Sequence, residues 1–67
     1  MITINAQIVV PVWANFIAQD PSGIWYFHEY KPKINWHFQE WESKGLFEEA
    51  YKGKFPEDWT QELWELY

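Results

Sequence analysis

The chain has 67 residues, with ten acidic side chains, five basic ones and a formal net charge of −5. It contains no cysteine, which excludes disulfides and thiolate zinc sites. All five basic residues are lysines, so the chain lacks the bidentate donor that suits phosphate. An acidic surface of this kind favours a basic protein partner over double-stranded nucleic acid.

The six tryptophans, five phenylalanines and four tyrosines are the main source of buried area in so short a chain. We expect one domain, residues 1–67, without cofactor or metal. The opening "ITINAQIVVPV" is rich in β-branched residues and predicts a strand that ends near Pro11. No run approaches the about 20 apolar residues of a membrane span, and nothing resembles a signal peptide. We therefore expect a soluble cytoplasmic protein with no membrane partner.

The stretch "DPSG" predicts a tight turn between two apolar runs. Asp suits the first turn position, Pro the second, and Gly23 can adopt a positive φ. The pattern predicts a hairpin of residues 13–19 and 24–30, in which Asp20 pairs with Ile24.

That register assigns the hairpin side chains to two faces. On one face the small residues Ala14 and Ala18 form a shallow trough, where another element can lie close. The other face carries Ile17, Trp25 and Phe27. This second face is either core or an exposed partner site, and the small size of the chain favours core.

The middle of the chain is less regular. The stretch "INWHFQEW" alternates from Ile34 onward and predicts a strand, although a helix through Phe38 and Trp41 also fits the spacing. The stretch "LFEEAYKGKF" predicts the last strand. Its Glu48–Glu49 pair interrupts the alternation, so a short helix is the alternative there.

The C-terminal stretch "FPEDWTQELWELY" predicts a helix that starts near Pro56. One apolar stripe contains Trp59, Leu63, Leu66 and Tyr67, whereas Trp64 falls at its rim or in solvent. Such a short helix must dock, and the alanine trough is the expected surface. The predicted fold class is therefore α+β: a small antiparallel β-meander of four to five strands, with one C-terminal helix packed on one face.

No residue set indicates catalysis. The two serines, Ser22 and Ser43, lie in predicted turns, and neither belongs to a nucleophile motif. His28 and His37 more often sit at a core edge than act as ligands or proton shuttles. Paired glutamates could serve acid–base chemistry, but solvated carboxylates are far commoner. We expect no enzyme and no catalytic residue.

The stretches "WANFIAQDPSGIWYF", "YKP" and "YKGKFPEDW" resemble a group of small phage and prophage proteins with the pattern W-A-x-x-I-A-x-D-x-x-G and a terminal P-x-D-W…L. The similarity runs from Trp13 to Leu63 and consists of framework residues. It implies phage origin, and small phage proteins often bind and disable a host protein. It implies no activity and no catalytic residue.

The leading hypothesis is a non-enzymatic, phage-encoded interaction protein that modulates or inhibits a host protein with a basic surface, such as a defence or nucleic-acid-handling component. The alternatives are a binder of nucleotides or single-stranded nucleic acid through aromatic stacking, and a small structural unit that forms homo-oligomers. The candidate partner-binding residues are exposed aromatic anchors and acids. They are Trp25, Phe27, Glu57, Glu62, Trp64 and Glu65.

Overall fold

A computed structural model describes residues 8–67. The strands are β1 (Phe16–Gln19), β2 (Ile24–His28), β3 (Lys33–Asn35), β4 (Glu40–Glu42), β5 (Phe47–Lys52) and β6 (Leu63–Glu65). All pairings are antiparallel. One sheet has the order β5-β2-β1-β6, and β3 and β4 form a separate hairpin. Within the described range the only helical element is a 3₁₀ turn, Trp59–Gln61.

The central hairpin confirms the predicted turn and register. The Asp20 amide donates to the Ile24 carbonyl at 3.0 Å, and the Gly23 amide donates to the Asp20 carbonyl at 2.9 Å. Gly23 has a φ of +93°, a region that strongly favours glycine. Ala18 lies opposite Tyr26, as the turn chemistry predicts. The strands themselves are shorter than predicted.

Strand β5 confirms the strand predicted in "LFEEAYKGKF" and extends the hairpin on its β2 side, but it is not the last strand, because β6 follows it. A bulge near Trp25 and Tyr26 shifts the register. After β5 the chain returns to the turn: the Gly53 amide donates to the Gly23 carbonyl at 2.8 Å, and buried Gln19 Nε2 donates to the Lys54 carbonyl at 2.6 Å. The turn and the end of β5 are thereby joined.

The core lies on the sheet face that carries Ile17, Trp25 and Phe27. Their exposed fractions are 0%, 8% and 1%. Ala14 joins this cluster, and Trp64 packs against it. The prediction that placed Ala14 beside Ala18 in a common trough is wrong, because β1 starts only at Phe16 and the chain turns before it: the Ala14 amide donates to the Pro11 carbonyl.

The stretch predicted as one strand from Ile34 is instead a hairpin. Residues 36–39 turn between β3 and β4, and Ile34 lies opposite Trp41. Asn35 Oδ1 accepts hydrogen bonds from the amides of His37 and Phe38, which favours a turn over a continuous strand. Neither the single strand nor the alternative helix forms.

The predicted C-terminal helix is wrong. Asp58 caps a single 3₁₀ turn by accepting from the Thr60 amide, and Glu62 then leaves helical geometry with φ −94° and ψ 66°. Residues Leu63–Glu65 pair with β1 as β6. The Leu66 amide donates to the Asn15 carbonyl at 3.0 Å, which extends this pairing. The fold is therefore mostly β, with two antiparallel sheets.

The Ala18 face of the sheet is covered by the β3–β4 hairpin rather than by a helix. Trp41 Nε1 donates to the Gln19 carbonyl at 3.0 Å, and Ser43 Oγ lies 2.8 Å from His28 Nδ1. Ala18 is fully buried and lies opposite Leu63 of β6. The predicted strand near Pro11 is not present in residues 8–12, and residues 2–7 of that stretch lie outside the described range.

Candidate acidic aromatic cavity

A cavity of about 200 Å³ lies where the β4 end of the small hairpin meets β2. Its lining is Asp20, Tyr26, His28, Glu40, Trp41, Glu42, Ser43 and Phe47. Three carboxylates and three aromatic rings therefore share one concave surface, and no lysine belongs to it. We refer to it below as the acidic cavity.

Asp20 is positioned by the central turn, where its backbone amide bonds to Ile24. Its Oδ1 accepts a hydrogen bond from the Trp41 amide at 3.1 Å, which ties the turn to β4. Partial burial and the charge of Glu40 raise the pKa of Asp20 above its usual value, although the Trp41 bond acts against this. Asp20 is thus a desolvated carboxylate beside a second negative charge.

The aromatic side chains form the less polar wall of the acidic cavity. Trp41 is buried and fixed by its indole hydrogen bond to Gln19. Tyr26 and Phe47 make an edge contact with ring centroids 6.3 Å apart. Burial, followed by the charges of Asp20, Glu49 and Glu40, raises the pKa of the Tyr26 hydroxyl. The negative charges of Asp20, Glu40 and Glu49 therefore all act on the Tyr26 side of the acidic cavity.

His28 is 3% exposed and lines the acidic cavity. Its Nδ1 bonds to Ser43 Oγ, whereas its Nε2 is buried without a partner among residues 8–67. Burial lowers the pKa of His28, which favours the neutral imidazole. No third group within the described chain orients the ring through Nε2, so the Ser43–His28 contact lacks the arrangement of a nucleophilic triad.

A second cavity, of about 430 Å³, borders the Glu42–Ser43 segment. Its lining includes Lys31, Lys33 and Lys44, with Tyr30. Glu42 and Ser43 line both cavities, so an acidic and a basic surface are adjacent. We call this second one the lysine cavity.

The β3–β4 turn carries exposed aromatic side chains. Trp36 and Phe38 are 68% and 67% exposed. Trp59 lies 6.0 Å, centroid to centroid, from both Trp36 and the Trp41 ring of the acidic cavity. Gln39, the last residue of the turn, has a positive φ of 51°. We call Trp36 and Phe38 the aromatic tip. Through Trp59, the aromatic tip is continuous with the Trp41 wall of the acidic cavity.

Two of the predicted partner-binding residues are buried. Trp25 and Phe27 belong to the core, so their prediction as partner anchors is wrong. Trp64 is half-buried against that core, and its indole donates to Glu62 Oε1 at 3.3 Å. The expectation that Trp64 lies at a helix rim is therefore also wrong.

The predicted acids lie apart from the acidic cavity. Glu62 is half-buried, and its carbonyl accepts from the Gln19 amide, so it has a structural role at the start of β6. Glu57 and Glu65 are exposed, but neither lines the acidic cavity. None of the six predicted partner residues is part of this lining.

Sequence reasoning identified Asp20, Trp41 and Ser43 only as turn or strand residues. No local pattern brings them together, because they meet through the packing of one hairpin on another. The one available signal was the surplus of acids around residue 40, next to tryptophan.

Within residues 8–67 no three His, Cys, Asp or Glu side chains are grouped to hold a metal ion. The same part of the chain contains no helix of the length and hydropathy needed to cross a membrane. No protein-family model, curated protein or solved structure matches the chain significantly.

Proposed function

We propose that this chain is a non-enzymatic interaction protein that binds a basic surface of another protein. The observation that carries the proposal is the acidic cavity, in which Asp20, Glu40 and Glu42 face aromatic rings without a lysine in the lining. A cationic partner relieves the repulsion between Asp20 and Glu40 and offsets the partial desolvation of Asp20. The net charge of −5 steers basic partners toward the protein.

The aromatic tip supplies the anchoring part of the proposed interface. Trp36 and Phe38 are exposed, and tryptophan is frequent among residues that dominate binding energy. Their side chains extend from the hairpin that also forms the acidic cavity. One partner surface can therefore contact apolar anchors and carboxylates together.

The resemblance to phage proteins makes a host-cell protein the proposed partner, and inhibition or modulation of that protein the proposed outcome. The host partner and the inhibition are inferred from that resemblance alone. The acidic and aromatic surface is what supports binding itself.

The proposal can be tested by fluorescence anisotropy with labelled peptides. A lysine-rich peptide should bind, and a matched glutamate-rich peptide should not. Raising the salt concentration should weaken binding, because it screens charges in solvent. Glu40→Lys should weaken the association more than Glu65→Lys, a charge reversal outside the acidic cavity. Equal effects of the two reversals, or no binding to the lysine-rich peptide, would contradict the proposal.

A second candidate function is binding of single-stranded nucleic acid. The exposed rings of Trp36 and Phe38 can stack on bases, and the lysine cavity provides cationic side chains. Labelled single- and double-stranded oligonucleotides belong in the same titration. Tight single-strand binding that Trp36→Ala abolishes would favour this alternative.

A further inference from the structure

We propose that the acidic cavity is a receptor for one primary alkylammonium group, the end of a lysine side chain. This inference rests on the proposed function and names the partner group that enters the cavity. The chemistry is shared by a lysine of a partner protein and by a free amine, so the experiment below separates these two sources.

The charge of the cavity requires a cation. Asp20 is half-buried, and the charged group of the lining that acts on it is Glu40, of the same sign. The only hydrogen bond that offsets this comes from the Trp41 amide. A positive group between Asp20 and Glu40 turns a repulsive arrangement into an attractive one.

His28 provides an independent indication of a ligand. Its side chain is almost wholly buried, and Nε2 has no partner within residues 8–67. A buried polar atom without a hydrogen bond is costly, and a ligand that supplies one removes the cost. In the tautomer whose Nδ1–H donates to Ser43 Oγ, Nε2 keeps a lone pair. Because Nε2 has almost no accessible surface, an ammonium N–H reaches it only when the ring or the side chains that cover it shift as the ligand enters.

The rings of the cavity explain why an alkylammonium group fits better than a simple metal cation. Tyr26, Trp41 and Phe47 offer apolar surface to a methylene chain and ring faces to a positive charge. The carboxylates and Nε2 accept hydrogen bonds, which a primary ammonium can donate three times. A quaternary ammonium has no N–H donor, and it should therefore bind more weakly here.

The probe for the test is n-butylammonium chloride, titrated into the full chain at constant ionic strength. The readout is the indole ¹H–¹⁵N signal of Trp41, because its N–H donates to the Gln19 carbonyl beside the cavity. Sodium chloride and n-butyltrimethylammonium chloride serve as matched ligand controls. We expect a saturable shift with n-butylammonium and much smaller shifts with the two controls.

Asp20→Asn is the matched variant, because asparagine keeps an acceptor for the Trp41 amide and suits the same turn position. It removes only the charge, and should weaken n-butylammonium binding about tenfold, the range of a charge-assisted hydrogen bond. Glu65→Gln removes a carboxylate outside the cavity and should leave binding unchanged. A lysine-containing peptide that competes with n-butylammonium identifies the side-chain source; binding of the free amine without such competition identifies a small-amine site.

The inference is overturned by the absence of a saturable Trp41 shift, by equal shifts with sodium, or by equal effects of the two variants. These results are distinguishable from a failure of the proposed function. If n-butylammonium does not bind while a lysine-rich peptide still binds in a salt-dependent way, the acidic surface binds proteins without this receptor.

Discussion

The β1–β2 hairpin and the C-terminal segment from Pro56 to Tyr67 are similar in length and rich in aromatic residues, but they follow their sequences differently. The hairpin adopts the predicted register, with Phe16 opposite His28 and Gln19 opposite Trp25. The C-terminal segment has a helical apolar stripe and nevertheless forms a 3₁₀ turn and a strand.

The difference shows which interactions are local. The Asp-Pro-Ser-Gly turn determines strand pairing within a few residues, because positive φ at Gly23 and the Asp20–Ile24 bond need no distant partner. A helix of about eleven residues is marginal alone in water. The edge of β1 offers the last segment hydrogen bonds and places Trp64 opposite Ile17, on the core face.

The largest expected effect comes from Trp64→Ala. Trp64 packs on the core cluster, so we expect a loss of about 2–4 kcal/mol in the free energy of unfolding, slightly below the range for a fully buried tryptophan. Tyr67, at 81% exposed, is the matched control, and Tyr67→Ala should change stability by less than about 0.5 kcal/mol. Urea unfolding measures both. A similar small loss for both variants would contradict the packing of Trp64 on the core.

Gly23→Val tests whether the Asp-Pro-Ser-Gly turn determines the β1–β2 hairpin. Valine is strained at a φ of +93°, and a Cβ would lie 2.8 Å from the Gly53 carbonyl oxygen. We expect a loss of about 1–3 kcal/mol. Ser22→Asp is the control, because Ser22 is exposed and an aspartate can replace its weak acceptor contact with the Ile24 amide. Equal, small effects of both substitutions in urea unfolding would mean that the turn does not determine the hairpin.

The smallest expected effect is a pH dependence of the stability that comes from His28. This residue lies in β2 and contacts Ser43, which follows β4. Burial lowers its pKa below 6.5, so between the folded value and 6.5 the unfolded state binds more protons. The His28 contribution to stability is therefore full above pH 6.5 and is lost as the pH falls toward the folded value. The melting temperature should be lower at about pH 5.5 than at about pH 7.5.

Two variants isolate this effect. His28→Asn should flatten the pH dependence, because it removes the titrating group while an amide can still bond to Ser43. His37→Asn changes an exposed histidine and should preserve the slope. Asp20, whose pKa is raised, acts in the opposite direction: its contribution falls as the pH rises through the acid range. An unchanged slope in His28→Asn would assign the pH dependence to another group.

The sequence by itself determined the elements whose information is local. The "DPSG" turn specified the hairpin and its register, and so placed Ile17, Trp25 and Phe27 on one face. The sequence left open whether that face is core or a partner site, and the packing of the sheet decided for core. The acidic composition led to the expectation of a basic partner, which stays a prediction, and gave no position for its binding. The conclusions drawn from the sequence depend on residues close together along the chain or on composition alone.

Only the tertiary structure decided the rest. The C-terminal segment forms β6 because the edge of β1 offers it hydrogen bonds and the core offers Trp64 a packing site. The hydrophobic periodicity of the segment gives no sign of that edge. The acidic cavity joins Asp20 from a turn with Trp41 from β4, 21 residues further along the chain. Because contacts over such separations arise only when whole hairpins pack together, neither the strand nor the candidate site was visible in the sequence.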